Sequence, residues 1–201
     1  MGVSGGVGSL RVHWDPAFWG LGWEVKGTKR RHWTGELTSP ATYCHFGASG
    51  TLLWADPERD LLKIACVERH QATGRIGVAY IHGLGLKRGA IAGSIAHDAH
   101  NILAAGASDT DILAAIATVA DLGGGLAVVA DGEVLAHLPL PIAGLLSDQP
   151  AEVVAEGYAE VEQAARALGS TLLSPFGALA FMGLSVIPEA RITDRGFLRV
   201  G

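Results

Sequence analysis

One short segment concentrates the side chains best suited to chemistry: His97-Asp98-Ala99-His100-Asn101. Imidazoles, a carboxylate and an amide donate and accept hydrogen bonds at neutral pH, and imidazoles also ligate metals. The segment lies between two apolar runs, residues 89–96 and 101–105, where the chain would leave a sheet. Two interpretations stay open. The segment is either a substrate or metal loop, or a turn whose Asp and Asn bond to the backbone.

A second polar cluster, Glu68-Arg69-His70, ends an earlier apolar run. It either lies beside the histidine segment and adds His70 to a binding site, or forms surface ion pairs that contribute little stability. A complete metal site is not predicted, because zinc takes about three or four protein ligands and the remaining histidines are scattered singly. No catalytic residue is assigned either, since the chain carries no serine-nucleophile elbow, no zinc-protease helix and no cytidine-deaminase zinc motif.

The elements that must position these residues are readable from residue 56 onward. Apolar runs of strand length cover residues 61–67, 76–81, 89–96 and 101–105. Ser108 and two acidic residues predict the start of a helix over 109–121. Asp131-Gly132 predicts a tight hairpin turn, and apolar periodicity predicts a second helix over 150–168.

The last predicted element is one more apolar run, residues 179–186, which we interpret as a strand. Strands, helix, hairpin, helix and strand in this order predict an α+β fold. We expect a largely antiparallel sheet with two main helices packed on one side, preceded by an irregular N-terminal segment.

Residues 1–55 differ in character from the rest. All five tryptophans lie there, and neither a helical nor a strand period is sustained. We therefore predict an irregular segment over 1–55 that contributes little to the core, and a domain over 56–201.

The composition limits the classes of protein to which the chain can belong. Hydrophobic residues make up 49 % of the 201 residues and charged residues 17 %, which excludes a disordered chain. A net charge of −5 argues against nucleic acid as a partner. The apolar runs are too short or too interrupted by glycine to span a bilayer, and only two cysteines fit a reducing compartment. We expect a cytoplasmic protein without membrane or nucleic-acid partners.

Several ordered blocks resemble adenine deaminases of the amidohydrolase superfamily over roughly residues 56–201. The blocks are DPERDLLKIACVERH (56–70), TGRIG (73–77), GLKRGAIA (85–92), SIAHDAHNI (94–102), LPLPIAG (138–144), VIPE (186–189) and TDRG (193–196).

The resemblance implies purine salvage chemistry, in which adenine and water give hypoxanthine and ammonia. The family holds manganese or iron in an N-terminal barrel, where the metal activates a water molecule. The matching region is the domain that follows this barrel. The family's metal ligands have no counterpart here, and residues 1–55 are too short for a barrel of roughly 250 residues. We therefore expect that this chain alone binds no metal and is inactive.

By resemblance, His97, Asp98, His100 and Asn101, with His70 beside them, are candidates for lining the active-site mouth. Ala99 replaces the serine that is usual in the family's loop. Three hypotheses follow: a partial adenine deaminase, an accessory subunit completed by a separately encoded barrel, or a non-catalytic module that binds a purine or another small molecule. The partners implied are that barrel, a purine, and further copies of the chain in a homo-oligomer.

Overall fold

A computed structural model of the chain describes residues 3–7, 10–14, 18–20, 23–29, 39–46, 52–55 and 61–200. The chain divides into two units, Met1–Arg59 and Asp60–Gly201. Within the described ranges, no helix combines the length and the apolar character needed to cross a membrane.

The first unit contains short strands where the sequence predicted an irregular segment. They are β1 (Val3–Val7), β2 (Leu10–Trp14), β3 (Phe18–Gly20), β4 (Trp23–Val25), β5 (Tyr43–Phe46) and β6 (Leu52–Ala55). Strands β1 and β2 pair, and β3-β4-β5-β6 form a second antiparallel sheet. Strands of three to five residues are too short to show a sustained period, which explains the difference. Residues 1–2, 8–9, 15–17, 21–22, 30–38 and 47–51 of the predicted segment, and residues 56–60 of the predicted domain, lie outside the described residues.

The second unit carries the elements that position the site. They are β7 (Leu61–Val67), β8 (Ile76–His82), β9 (Ala90–Gly93), β10 (Ile102–Gly106), α1 (Asp109–Asp121), β11 (Gly125–Ala130), β12 (Glu133–Pro139), α2 (Ala151–Ala167), α3 (Pro175–Met182), β13 (Glu189–Thr193) and β14 (Gly196–Val200). Six strands form one antiparallel sheet in the order β12-β11-β9-β10-β7-β8, and β13 pairs with β14. The predicted α+β class is confirmed.

Helices cover both faces of the six-stranded sheet, not one face as predicted. Ile112, Ala115 and Val119 of α1 pack on the face that presents Ala92, Ala104 and Ala127. Helices α2 and α3 pack on the opposite face, against Ile91, Leu103 and Val128 among others. The central strands β9, β10 and β11 are therefore buried along their whole length. Burial on both faces produces continuous apolar runs, and such runs do not show which face each helix covers.

The first turn of α1 is tied to the tip of the β11–β12 hairpin. Ser108 caps the helix by accepting the Asp111 N–H at 3.2 Å. The buried Asp111 carboxylate accepts the Gly132 N–H at 2.9 Å and the Ser108 hydroxyl at 2.8 Å. Burial alone would raise the pKa of Asp111, but these hydrogen bonds outweigh it and lower the pKa. The predicted turn is confirmed, with left-handed φ at both Asp131 and Gly132.

Part of the apolar run over 179–186 forms α3 and not the predicted strand. Pro175 occupies the first turn, and Ser174 accepts the Gly177 N–H at 3.3 Å. Phe176, Leu179 and Ala180 are buried at helical spacing. A short apolar run does not distinguish a buried strand from a buried helix, so the cap and the proline were the informative signals.

The β13–β14 hairpin lies against β8 at a position without a side chain. A Cβ atom built on Gly77 would lie 1.9 Å from the Thr193 carbonyl oxygen and 2.8 Å from the Gly196 nitrogen. Both neighbours are backbone atoms, so the contact cannot be relieved by rotating a side chain.

We predict that Gly77→Ala lowers the free energy of unfolding by about 1–3 kcal/mol, because the hairpin must shift to admit the methyl group. Gly157→Ala is the matched control: its Cβ would lie 3.0 Å from the flexible end of Leu138 and would favour the helix. Chemical denaturation measures both. Equal stability of the two variants would contradict the packing of the hairpin on Gly77.

Candidate functional site

The sheet register brings the polar segments to one end of the second unit. Val67 at the end of β7 pairs with Ile102 at the start of β10. Gly93 at the end of β9 pairs with both Leu103 and Leu126. The end of β12 lies there too, because Pro139 pairs with Gly125. The loops over residues 68–75, 94–101 and 140–146 therefore leave the sheet at the same end.

The histidine loop, residues 97–100, joins β9 to β10 at this end. His97 and Asp98 are exposed, and His100 is half-buried. The ring centroids of His97 and His100 lie 5.4 Å apart, with the ring planes inclined by 59°. Two imidazoles and a carboxylate are thus presented together, as the sequence pattern predicted. Their role in substrate binding stays a prediction.

Local hydrogen bonds hold His100 in a left-handed backbone conformation, with φ at 49°. Its N–H donates to the Ala96 carbonyl at 2.6 Å, and its Nδ1 atom accepts the Ala96 N–H at 3.4 Å. Burial lowers the pKa of His100, and the neighbouring His97 and Arg69 lower it further. These effects favour the neutral form of the ring.

Arg69 joins the histidine loop to the segment after β12. Its Nε donates to the His100 carbonyl at 2.5 Å, and its Nη2 donates to the Ala143 carbonyl at 2.6 Å. Both accepting residues have left-handed backbone, with φ at 49° and 57°. A Cβ on Gly144 would lie 2.6 Å from Nη2, so glycine leaves room for the guanidinium. One side chain thus secures two strained positions.

His70 also contacts the loop. Its Nε2 donates to the Ala99 carbonyl at 2.7 Å. The structure places the 68–70 cluster beside the histidine loop, while a role of His70 in binding stays a prediction. The ring is exposed and forms part of the same polar surface.

Glu68 is buried and serves the loop that follows β7. Its carboxylate accepts the N–H groups of His70 at 2.6 Å, Gln71 at 2.8 Å and Thr73 at 3.0 Å, together with the Thr73 hydroxyl at 2.8 Å. These bonds, that from the Thr73 N–H foremost, lower the pKa of Glu68 to about 2 against the opposing effect of burial. A carboxylate that is so weakly basic is unsuited to act as a general base near neutral pH.

Asn101, one of the candidates for lining the active-site mouth, is buried and does not belong to the exposed loop. It is 5 % exposed, and its Nδ2 lies 3.4 Å from Oδ1 of Asp194. Side chains alternate along β10, so Asn101 shares the face of Leu103, close to Cys66. Burial raises the pKa of the Cys66 thiol to about 11, and the hydrogen bond with Asn101 opposes this shift. Asn101 therefore belongs to the buried face of the sheet and not to the exposed surface of the histidine loop.

Ser94 is a supporting residue that the sequence reasoning missed. The buried hydroxyl accepts the Gly125 N–H at 2.8 Å and donates to the Gly144 carbonyl at 2.6 Å. It therefore holds the segment after β12 from the sheet side, while Arg69 holds it from the loop side. The only signal was a serine within an otherwise small and apolar run.

The described residues do not fit a metal centre. Within residues 61–200 and the described ranges before them, no group of three or more His, Cys, Asp or Glu side chains converges on one point. His70, His97, His100 and Asp98 are neighbours without forming such a set.

We predict that Arg69→Lys destabilises the chain by about 1–2 kcal/mol, because an ammonium group cannot reproduce the forked contact with two carbonyls. Arg88→Lys is the control, since Arg88 pairs with Asp131 at an exposed site and the change should cost less than about 0.5 kcal/mol. Denaturant titration compares the two. Faster amide exchange at residues 96–100 in the Arg69 variant alone would locate the effect.

We predict that Glu68→Gln destabilises the chain at pH 7 and that the deficit disappears in acid. A carboxyl whose pKa falls from 4.5 unfolded to about 2 folded contributes stability above pH 4.5 and loses it as the pH falls toward 2. Melting temperatures of both proteins between pH 7 and pH 2.5 measure the convergence. Glu160→Gln, at an exposed position on α2, is the control; a constant difference for the Glu68 variant at all pH values would refute the assignment.

Comparison with known proteins identifies the relatives. The profile of the adenine deaminase C-terminal domain matches residues 41–201. A protein named adenine deaminase from Oleidesulfovibrio alaskensis is 53 % identical over 146 residues, which cover 73 % of this chain and 26 % of the relative. Another from Archaeoglobus fulgidus is 55 % identical over 145 residues, covering 72 % and 26 %. A third from Dehalococcoides mccartyi is 46 % identical over 166 residues, covering 83 % and 29 %.

The chain spans about a quarter of the length of these relatives. The profile extends over the whole six-stranded sheet, its helices and the histidine loop. On this evidence the chain belongs to the adenine deaminase C-terminal domain family.

Proposed function

We propose that this domain takes part in the hydrolytic deamination of adenine in purine salvage, together with a metal-binding barrel outside the described residues. In the reaction, water adds at the purine C6 atom, the bond from C6 to the amino nitrogen breaks, and hypoxanthine and ammonia leave. Cytoplasmic purine metabolism is the setting that this chemistry implies. The name shared by the relatives is the observation that carries the proposal.

The proposal gives the histidine loop the role of shaping the mouth of the catalytic site. His97 and Asp98 are exposed and reach outward, while His70 and His100 extend the same polar surface. Imidazoles beside a carboxyl group offer both donors and acceptors to the edge of a purine. Arg69, with both contacts committed to backbone carbonyls, would keep these groups in place, since small misplacements of positioning groups are costly to catalysis.

The metal is assigned to the barrel and not to this domain. When bound there, manganese or iron would supply an activated water at neutral pH. The residues of this domain would orient the purine and limit access of bulk water. The barrel is either linked to this domain or separately encoded, which makes the domain a partial enzyme or an accessory subunit.

We predict that the chain by itself neither retains a stoichiometric divalent metal nor releases ammonia from adenine. The reason is that its described residues offer no converging ligand set. The measurements are metal content after dialysis against manganese-free buffer, and a coupled ammonia assay with added manganese. One equivalent of metal per chain together with hypoxanthine formation would overturn the assignment of the metal to the barrel.

A domain exchange tests the proposed contribution to catalysis. Residues 60–201 replace the corresponding region of the Oleidesulfovibrio alaskensis adenine deaminase, and the chimera should deaminate adenine. In the chimera, His97→Ala with Asp98→Ala should reduce kcat/KM at least about tenfold, whereas His137→Ala, an exposed histidine on β12, should leave it unchanged. A folded, metal-loaded chimera without activity would contradict the proposal. Purine binding without turnover would instead favour a non-catalytic binding module.

A further inference from the structure

A cavity of about 140 Å³ lies between the sheet and helices α2 and α3, next to the histidine loop. Its inner wall is apolar and includes Leu103, Leu126 and Phe176, all buried. Gly93 adds room, because a Cβ there would lie 2.8 Å from Cδ2 of Leu126 and 3.9 Å from Cδ1 of Phe176. A cavity of about 150 Å³ in an apolar core is known to hold benzene. The space therefore suits one six-membered aromatic ring.

The mouth of the cavity differs from its wall. Phe181 is 55 % exposed and Tyr158 is 37 % exposed, and both line the opening together with His97. The Tyr158 hydroxyl lies 3.2 Å from the Ser174 hydroxyl and retains further hydrogen-bonding capacity.

These two properties define a ligand with flat apolar faces and a polar edge. We propose that the cavity binds a planar nitrogen heterocycle, with one six-membered ring against Leu126 and Phe176 and its polar edge toward His97 and Tyr158. Mostly apolar pockets with a few convergent polar groups are the usual form of small-molecule sites. Binding removes the ring faces from water, while the ring nitrogens and exocyclic groups keep hydrogen-bond partners. Few polar groups of the ligand are therefore left without a partner.

Because His97 belongs to both the cavity lining and the histidine loop, a ligand held in the cavity would lie beside that loop. The inference rests on the proposed function only for the choice of adenine as one probe, because ring size and polar edge follow from the cavity itself. The amino-substituted single ring, 4-aminopyrimidine, tests the cavity without any assumption about deamination.

Calorimetric titration of the full chain with adenine, 4-aminopyrimidine and the non-planar cyclohexylamine tests the proposal. We expect saturable binding of the two planar probes at one per chain, with a Kd of about 1 mM or tighter, and much weaker binding of cyclohexylamine. Ala180→Leu, which adds methyl groups at the cavity wall, should weaken binding of the planar probes at least about tenfold. His97→Ala and Tyr158→Phe should each weaken it roughly threefold or more, and His137→Ala should have no effect.

Circular dichroism and melting temperature establish that each variant is folded. If Ala180→Leu does not fold, the exposed positions His97 and Tyr158 carry the test. Absence of saturable binding up to about 10 mM, or binding that none of the three cavity variants weakens, would overturn the proposal. If 4-aminopyrimidine binds but the chimera is inactive, the cavity site is supported and the proposed function is refuted. If the chimera is active but the planar probes do not bind, the proposed function is supported and the cavity site is refuted.

Discussion

The structure of the second unit depends on burying the central strands of a six-stranded antiparallel sheet on both faces. Helix α1 lies on a face made largely of alanine, and α2 and α3 lie on a face of larger side chains. Small residues on the first face allow close approach of α1, while larger ones fill the wider space beneath two helices. Because neither face of the central strands admits polar groups, polar chemistry is confined to the ends of the sheet.

The polar loops lie together at one end of the sheet. Their conformation depends on a few side chains, each of which makes several hydrogen bonds. Arg69 contacts two carbonyls in different loops, Ser94 bridges the sheet to the segment after β12, and Glu68 binds three N–H groups and a hydroxyl. Left-handed residues such as His100 and Ala143 persist because their carbonyls are secured in this way. These contacts consequently hold the backbone of the loop that carries the exposed His97 and Asp98.

The same sheet links the polar loop to the cavity. Gly93 ends β9, lines the cavity and lies only a few residues before His97. The wall formed by the sheet and α3 is buried and apolar, whereas the mouth includes the partly exposed Tyr158 and Phe181. This domain, whose relatives are named adenine deaminases, thus has both a polar rim and an apolar slot of the size of one ring. The two features differ in chemistry and are separable by substitution.

Local patterns in the sequence were sufficient for the elements that depend on local chemistry. The Ser108 cap, the Asp131-Gly132 turn and the helical period predicted α1, the β11–β12 hairpin and α2, and the histidine cluster predicted a polar loop between two strands. These features depend on contacts within a few residues, so the sequence carries their signal directly. The resemblance to adenine deaminases likewise followed from ordered blocks of residues.

Only the tertiary structure decided the side of the sheet on which each helix lies, the helical state of residues 175–182, the short strands of the first unit and the burial of Asn101. It also decided that Arg69 and Ser94 hold the segment after β12, because their partners Ala143 and Gly144 are distant in the sequence. A run of apolar residues records that a segment is buried, but not what covers it. Contacts between loops follow from strand order and register, which are properties of the folded chain as a whole.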